Sequence, residues 1–325
     1  MRKWLLIVIC FYCCFFFNLY AATFHQKTIN YSVGIGQPIV TSTADALEKG
    51  KIGISQRVEY YSNIPLSDAV LLQHPLAENL NASLYGYLLI SYGLLDNLSI
   101  GASLPYVDNI SFAAAGFNEI THVESTLNLG SAYGIGDTNI FALSQFLEED
   151  KYVISLSLIS GVNAPTGKTT ARDNTGTVFS ASDQPGSGAW TPFAGILISK
   201  QFNNFSLSSN LIYTQGMEGV QHTTLGSVFD YNFATVLELY RNEQLKLDID
   251  GIIELNGEYA TKDNIAGTLD PNSGGNFISF LPGIRVNIHT NYSGYLGVNI
   301  PIVQNLYGTQ VKNQYGITGG IDINI

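Results

Sequence analysis

The sequence is poor in charged residues and has no long hydrophobic run beyond its N-terminus. Charged residues make up 13% of the 325 residues and hydrophobic ones 46%, whereas soluble domains usually have roughly 25% charged residues. A membrane-spanning helix needs about 20 consecutive apolar residues, and no segment after the N-terminal region supplies them. A weakly charged, apolar chain without such helices can cross a bilayer only as a closed β-barrel.

Cysteine is missing from most of the chain, because all three cysteines lie within residues 1–22. This segment has a positive start at Arg2 and Lys3, then an apolar run, and then small residues suited to cleavage after Ala21 or Ala22. We therefore predict a signal peptide over residues 1–22. The mature chain would then contain no disulfide and no thiolate metal site.

Basic residues are also scarce. The chain has 15 Lys and Arg against 26 Asp and Glu. Without the two basic residues of the predicted signal peptide, 13 remain against 26, a net charge of −13. Nucleic acid is not an expected partner of so acidic a chain.

What the sequence does contain is a succession of segments in which apolar and polar residues alternate with a period of two. This spacing places alternate side chains on opposite faces of a β-strand. We count about twelve such runs, each near the 9–11 residues that a tilted strand needs to cross a bilayer. The runs cover residues 51–61, 82–94, 97–106, 136–147, 152–163, 189–199, 205–214, 228–240, 245–256, 276–288, 292–302 and 314–325.

The connections between the runs alternate between short and long. Tight turns such as Leu95-Asp96 alternate with long segments such as 107–135, 164–188 and 257–275. Short periplasmic turns and longer external loops produce this pattern in outer-membrane barrels. The sequence therefore predicts an all-β, up-and-down antiparallel barrel over residues 51–325, with an even number of strands. The apolar run 112–117 falls in a predicted loop, where it could line a constriction, touch lipid or pack on another loop.

Residues 23–50 precede the first predicted strand and have no strand pattern. Two interpretations stay open for them. The segment is either a periplasmic tail or a partial plug that folds into the lumen.

Charged residues within the runs are predicted to point into the lumen. A bare Lys or Arg facing lipid at mid-bilayer would cost about 2–4 kcal/mol, so we place the charges on the opposite face. They either form an internal network that holds the barrel shut or line a polar passage. Many inward positions carry Ser or Gly, which favours space inside. The candidate lumen-facing charges are Arg57, Glu59, Asp137, Lys246, Asp248, Asp250, Glu254, Arg285 and Asp322.

Four short motifs resemble a known family. Gly134 to Asp137 opens a strand, Ala164 to Lys168 closes the next, and Gln184 to Gly188 leads into the strand with Trp190. Together with Thr41 to Gly50, these resemble the outer-membrane transporter family known as the meta-pathway phenol-degradation proteins. The resemblance implies a barrel that transports aromatic or other small hydrophobic compounds. It supplies no catalytic residues.

The sequence gives little support to an enzyme. His74, His122 and His222 fall in predicted outer loops, and neither G-x-S-x-G nor H-E-x-x-H occurs. The Asp/Asn/Gly-rich segments 173–176 and 270–275 lack the spacing of an EF-hand loop and fit ordinary turns. We predict no catalytic site, no cofactor and no metal.

We therefore predict a channel or facilitator of the bacterial outer membrane for passive passage of small, hydrophobic or aromatic molecules. Its expected partners are the lipid bilayer, the barrel-assembly machinery and a small-molecule solute. The contrasting hypothesis is a non-conducting barrel that displays its surface loops for a structural or adhesive role.

Overall fold

Twelve antiparallel strands form a closed barrel in the computed structural model, which describes residues 29–32, 36–74, 77–118 and 123–325. Each strand pairs with its neighbours in sequence, and the predicted fold and strand number are confirmed. The strands are β1 (Ile52–Ile64), β2 (Glu78–Leu95), β3 (Leu98–Asn118), β4 (Thr138–Leu147), β5 (Ser155–Ala164), β6 (Thr191–Gln201), β7 (Phe205–Thr214), β8 (Val228–Asn242), β9 (Leu247–Ala260), β10 (Gly275–Ile288), β11 (Tyr292–Leu306) and β12 (Lys312–Asn324).

The barrel closes where β1 pairs with β12. Their register runs from Gly53 opposite Asn324 to Ile64 opposite Lys312, with one irregularity near Ser62. Because every barrel strand has two neighbours, the backbone polar groups are satisfied within the wall, as a hydrocarbon environment requires. In the described part of the chain, no helix has the length and apolar character needed to span a membrane.

The wall separates an apolar outer face from an inner face rich in polar residues. On β3, Ile100 and Leu104 are each 41% exposed, whereas Ser99 and Ser103 beside them are buried. Since the outward side chains are exposed but strongly apolar, this face suits lipid. The alternation that predicted the strands therefore reflects two environments, lipid outside the barrel and a polar interior within it.

The short turns lie at one end of the barrel and the long connections at the other. β3 is 21 residues long, which at about 3.3 Å per residue exceeds what a bilayer crossing needs. Its outer half pairs with a further strand, Val123–Ile135, to make a hairpin that projects beyond the barrel. The prediction of a loop over 107–135 is wrong there, because strand pairing continues beyond the length needed to cross the bilayer.

The apolar run within this hairpin packs on a neighbouring loop. Phe112 is buried and contacts a cluster that contains Ala132, Ala171 and Phe179, with the rings of Phe112 and Phe179 5.1 Å apart. Of the three alternatives for residues 112–117, loop packing is therefore the one that Phe112 adopts.

Smaller elements complete the rim at this end. A helix, Asp68–Gln73, is capped by the side chain of Ser67. A 3₁₀ turn, Val220–His222, leads into a small sheet formed by three two-residue strands. These strands are Thr223–Thr224, Asn264–Ile265 and Thr268–Leu269.

The structure describes residues 29–32 and 36–50 of the N-terminal segment, which runs through the barrel interior and ends in three exposed residues, 48–50. Ile39, Thr41, Ser42 and Ala44 are at most 1% exposed. The backbone of this segment has no regular secondary structure, and its hydrogen bonds reach inward side chains of many strands around the barrel. The predicted signal peptide lies outside the described residues.

Candidate functional site

Three charged side chains of the wall hold the backbone of residues 38–41, which we call the latch. The Glu254 carboxylate on β9 accepts hydrogen bonds from the backbone N–H groups of Ile39, Val40 and Thr41. The Thr41 hydroxyl also donates to it, at 2.7 Å. Because hydrogen bonds to a charged group are stronger than neutral ones, Glu254 is the main anchor of this stretch.

Two arginines complete the latch. Arg57 on β1 donates to the carbonyl oxygen of Ile39, and Arg285 on β10 donates to that of Pro38, each at 3.1 Å. One carboxylate therefore accepts hydrogen bonds from the backbone N–H groups of the latch, and two guanidinium groups donate hydrogen bonds to its backbone carbonyl groups. The arrangement satisfies both polarities of a backbone that has no strand partner.

Uncharged polar side chains hold the rest of the segment. The Ala44 N–H donates to Ser199 on β6 at 2.9 Å, while its carbonyl accepts from Ser157 on β5. Further along, the Leu47 N–H donates to Ser99 on β3 at 2.8 Å. The small inward serines predicted to leave space thus serve as hydrogen-bond partners for the segment that fills it.

Apolar side chains of the segment fill the gaps between these polar contacts. The Tyr31 ring lies 5.1 Å from that of Phe141 and 5.2 Å from that of Phe193. Ile39 and Val40 join a separate buried cluster of wall residues. The lumen wall therefore has both polar and apolar regions, and the segment places polar groups against the first and apolar side chains against the second.

Six of the nine predicted lumen-facing charges are buried inside the barrel. Arg57 pairs with Glu59 at 3.2 Å, and Arg285 pairs with Asp322. Each guanidinium also lies over a tyrosine ring, Arg57 over Tyr87 at 4.8 Å and Arg285 over Tyr295 at 4.4 Å. The remaining two, Asp250 and Glu254, are also inside, with Asp250 bonded to Asn287.

Of the other three predicted charges, Asp137 lines the lumen and two do not. Asp137 falls between two strands, lines the outer part of the lumen and accepts from the N–H groups of Gly167 and Ser187. Asp248 lies near a short turn, half-exposed and paired with Arg241. Lys246 lies outside the lumen wall, exposed in the turn before β9 with a φ of 49°. The prediction that Lys246 faces the lumen is wrong, because β9 begins one residue later, at Leu247.

Between the segment and the long loops lies a cavity of about 230 Å³, here called the outer cavity. It opens into a vestibule of about 530 Å³ among the loops, and the two share four lining residues, Glu258 among them. The tyrosines lining the outer cavity are Tyr31, Tyr85 and Tyr87, and its acids are Asp137, Asp230 and Glu258. Together these spaces form a path from the outside to the N-terminal segment, which lines the outer cavity at Ile29 and Tyr31.

Several of these residues were not predicted. Tyr61 is one of them: it is buried inside the lumen, and its ring lies 6.2 Å from that of Tyr85. Glu258 lies four residues after Glu254 and therefore faces the same side of β9, toward the lumen. It was missed because the predicted strand ended two residues too early, at residue 256. Asp230 lay within the predicted strand 228–240, at a position that the alternation places on the lumen side. The signal for both acids was present in the alternation.

An acid pair holds one long loop against the barrel rim. Glu78, at the outer end of β2, lines the vestibule beside Asp183. Burial raises the pKa of Glu78 to about 9, and the neighbouring charge of Asp183 and a hydrogen bond to it add to this rise in the pKa. At neutral pH the protonated Glu78 therefore donates to the Asp183 carboxylate. The shared proton ties the loop of residues 165–190 to β2.

This contact predicts a loop that loosens at high pH. Because the folded pKa of Glu78 lies above its ordinary 4.5, the stability it contributes is complete below pH 4.5 and is lost as the pH rises through about 9. We expect trypsin to cleave after exposed Arg172 several-fold faster above pH 9 than at pH 7. Glu78→Gln keeps a donor toward Asp183 and should abolish this increase, when both proteins are compared at each pH. An equal increase in the variant would contradict the assignment.

Residues with catalytic or metal-binding chemistry do not converge in the described part of the chain. His222 is exposed and lies 3.0 Å from Glu218, and His122 lies outside the described residues. No group of three or more His, Cys, Asp or Glu side chains among the described residues is placed to hold a metal ion. Asp173 instead accepts from the N–H groups of Thr175 and Thr177, as an ordinary turn does.

Comparison with known proteins shows similarity in fold but not in sequence. No protein-family model and no curated protein matches the chain. An outer membrane channel from Pseudomonas putida F1 superposes with a TM-score of 0.60 at 13% identity, covering 87% of this chain and 98% of that one. The NanC porin (TM-score 0.46, 10% identity, 83% and 98% covered) and the CymD monoaromatic hydrocarbon channel (0.42, 10%, 86% and 88%) are more distant. The likeness to the first structure shows a shared barrel fold.

Proposed function

We propose that the protein is a passive channel of the bacterial outer membrane for small molecules, closed by its own N-terminal segment. The observation that carries this proposal is what fills the lumen. The interior is occupied by residues 36–47, a separate stretch of chain held by hydrogen bonds, rather than by side chains of the wall alone. If residues 36–47 move out of the lumen, the barrel becomes an open channel, and the arrangement in the structure is its closed state.

The residues beneath the segment support a passage once it moves. Beside the large side chains that hold the latch and pack on Tyr31, several wall positions that contact the segment are small, such as Ser99, Ser157 and Ser199. Twelve strands lie between the eight of a side-chain-filled barrel and the sixteen of an open porin. Moving the segment would therefore leave a narrow, polar-walled lumen rather than a second packed core.

The fold supports a channel, and the sequence motifs support a kind of solute. The protein of P. putida F1 that shares this fold is an outer membrane channel. The motifs around Gly134, Ala164 and Gln184 resemble a family of transporters for aromatic or small hydrophobic compounds. A lumen with tyrosine rings beside polar groups suits solutes of this size and character. The protein thus acts by selective passage and performs no chemical step.

The competing hypothesis is a barrel that displays loops without conducting. The long projecting hairpin and the packed rim are the features that favour it. A purely structural barrel, however, has no need of an outer cavity joined to a vestibule. The two hypotheses differ in one measurable property, ion conductance.

Planar-bilayer recording tests the proposal. The purified, folded protein should give discrete single-channel openings at low frequency, whereas the heat-denatured protein should give none. The opening frequency should rise in variants that weaken the latch. Complete silence of both the wild type and a folded latch variant would exclude a channel and favour the loop-display hypothesis.

A further inference from the structure

Two successive peptide groups of the latch lie between charged side chains of opposite sign. The peptide group that joins residues 38 and 39 accepts from Arg285 through its carbonyl and donates to Glu254 through its N–H. The next one, which joins residues 39 and 40, accepts from Arg57 and donates to Glu254. A trans peptide group is planar and points its C=O and N–H in opposite directions. The two arginines and Glu254 therefore lie on opposite sides of the latch.

Each arginine reaches the latch through a nitrogen that its ion pair does not use. Arg57 pairs with Glu59 through Nε and donates to the latch through Nη1. Arg285 pairs with Asp322 through Nη1 and donates to the latch through Nη2. Because a guanidinium has five N–H donors, the ion pairs hold both arginines in place and still leave donors for the lumen. The wall thus presents an acceptor on one side and donors on the other.

A notch in the same part of the wall receives an aliphatic side chain. Gly283 on β10 and Gly297 on β11 are register partners. A methyl group on Gly283 would lie 2.5 Å from Cδ1 of Ile39, and one on Gly297 would lie 3.0 Å from it. Leu281 and Ile252 belong to the same buried cluster as Ile39. A glycine within a strand often marks a close approach of this kind, and here two of them shape an apolar notch for a branched side chain.

One residue of the latch makes all three kinds of contact. The N–H of Ile39 donates to Glu254, its carbonyl accepts from Arg57, and its side chain fills the notch. The wall therefore recognises a donor, an acceptor and a branched aliphatic group that are joined through one carbon atom. An α-amino acid has this arrangement, with an ammonium as the donor and a carboxylate as the acceptor. Hydrogen bonds between charged groups are stronger than those of the uncharged peptide.

We infer that the wall groups around Ile39 form the solute site of the lumen once the latch moves away, and that this site takes α-amino acids with a branched aliphatic side chain, such as isoleucine. The inference rests on the proposed function, because the segment must leave before a solute can enter. The solute has a small apolar body, as proposed for this channel, together with a dipolar head. Residues 38–41 occupy the site in the closed state, so the latch and the solute exclude each other.

Four probes test the site in the full mature chain. L-Isoleucine carries all three groups, 3-methylpentanoate lacks the ammonium, 2-methylbutylammonium lacks the carboxylate, and glycine lacks the side chain. Planar-bilayer recording measures how often each probe interrupts the current within a burst of openings. Isoleucine should interrupt the current at concentrations at least fivefold lower than each of the other three.

The length of the bursts reports where the solute binds. Isoleucine should lengthen them, because a channel whose solute site is occupied cannot receive residues 38–41. Interruptions that leave the burst length unchanged would place isoleucine elsewhere in the lumen and overturn the inference.

Two variants separate the notch from the latch. Gly283→Ala puts a methyl group into the notch, whereas Ile39→Ala removes the side chain that fills it. Both should raise the open fraction, because both weaken the seat of the latch. Only Gly283→Ala should lower the sensitivity to isoleucine, by at least fivefold. The matched control, Gly294→Ala, adds a methyl group to β11 at a place where the nearest atom is 3.8 Å away, and it should behave as the wild type does.

The outcomes separate this inference from the proposed channel. Equal potency of the four probes in a channel that opens would sink the solute site and leave the channel standing. Undiminished sensitivity to isoleucine in folded Gly283→Ala would do the same. If this variant does not fold, the four probes on the wild type decide alone. Silence of both the wild type and Ile39→Ala would exclude the channel, and the solute site with it.

Discussion

Glu254→Gln is expected to increase the fraction of time that the channel conducts by about tenfold to a hundredfold. The wild-type carboxylate accepts from the N–H groups of three successive residues, Ile39 to Thr41, and from the Thr41 hydroxyl. A glutamine amide has one acceptor oxygen, and its NH₂ group would face N–H donors. Single-channel recording in planar bilayers measures the open fraction directly.

The size of the effect follows from the hydrogen bonds that the substitution removes. A hydrogen bond to a charged group contributes about 1.5–3 kcal/mol, and each 1.4 kcal/mol changes an equilibrium constant by about tenfold. Removal of one or two such bonds therefore shifts a closed–open equilibrium by one to two orders of magnitude. The barrel itself should persist, because its strands pair independently of the segment.

A matched control guards against a general effect of lumen charge. Glu238→Gln removes a negative charge from β8, where Glu238 pairs with exposed Arg241 and forms no hydrogen bond to the described residues of the segment. This variant should conduct as the wild type does. If both variants open the channel equally, charge rather than the latch controls conduction, and the latch assignment is wrong.

The wall of the barrel could be predicted from sequence because each strand carries its own signal. A strand between lipid and a polar lumen must alternate, so Ser99 and Ile100 indicate their faces without reference to distant residues. The same rule placed Arg57, Glu254 and Arg285 inside. It failed at Lys246, because parity cannot locate the residue at which a strand begins.

The filling of the lumen could not be predicted, because it depends on contacts between distant parts of the chain. Glu254 contacts Thr41 across 213 positions of sequence, and nothing local marks either as the partner of the other. The segment has no period of its own, so both tail and plug fitted its composition. The projecting hairpin was missed for a different reason, since the apolar run 112–117 interrupts the alternation there, and the strands are defined by their pairing with each other.

A disulfide between the segment and the wall is expected to keep the channel closed. Ala44 and Ser199 suit such a link, because the Ala44 N–H donates to the Ser199 hydroxyl at 2.9 Å. We expect Ala44→Cys with Ser199→Cys to give almost no openings when oxidised and to recover them on reduction. The predicted mature chain has no other cysteine, so the pair has no competing thiol.

The disulfide distinguishes channel opening by movement of the segment from opening by a rearrangement of the barrel wall. A disulfide needs Cβ atoms about 3.5–4.5 Å apart, so it holds the segment where the structure places it and leaves the strand pairing intact. Each single cysteine variant should conduct in both redox states, which controls for the substitutions themselves. Openings of normal size and frequency from the fully oxidised double variant would mean that solutes pass around a fixed segment. The lumen would then conduct with residues 36–47 in place, and the latch would serve stability rather than closure.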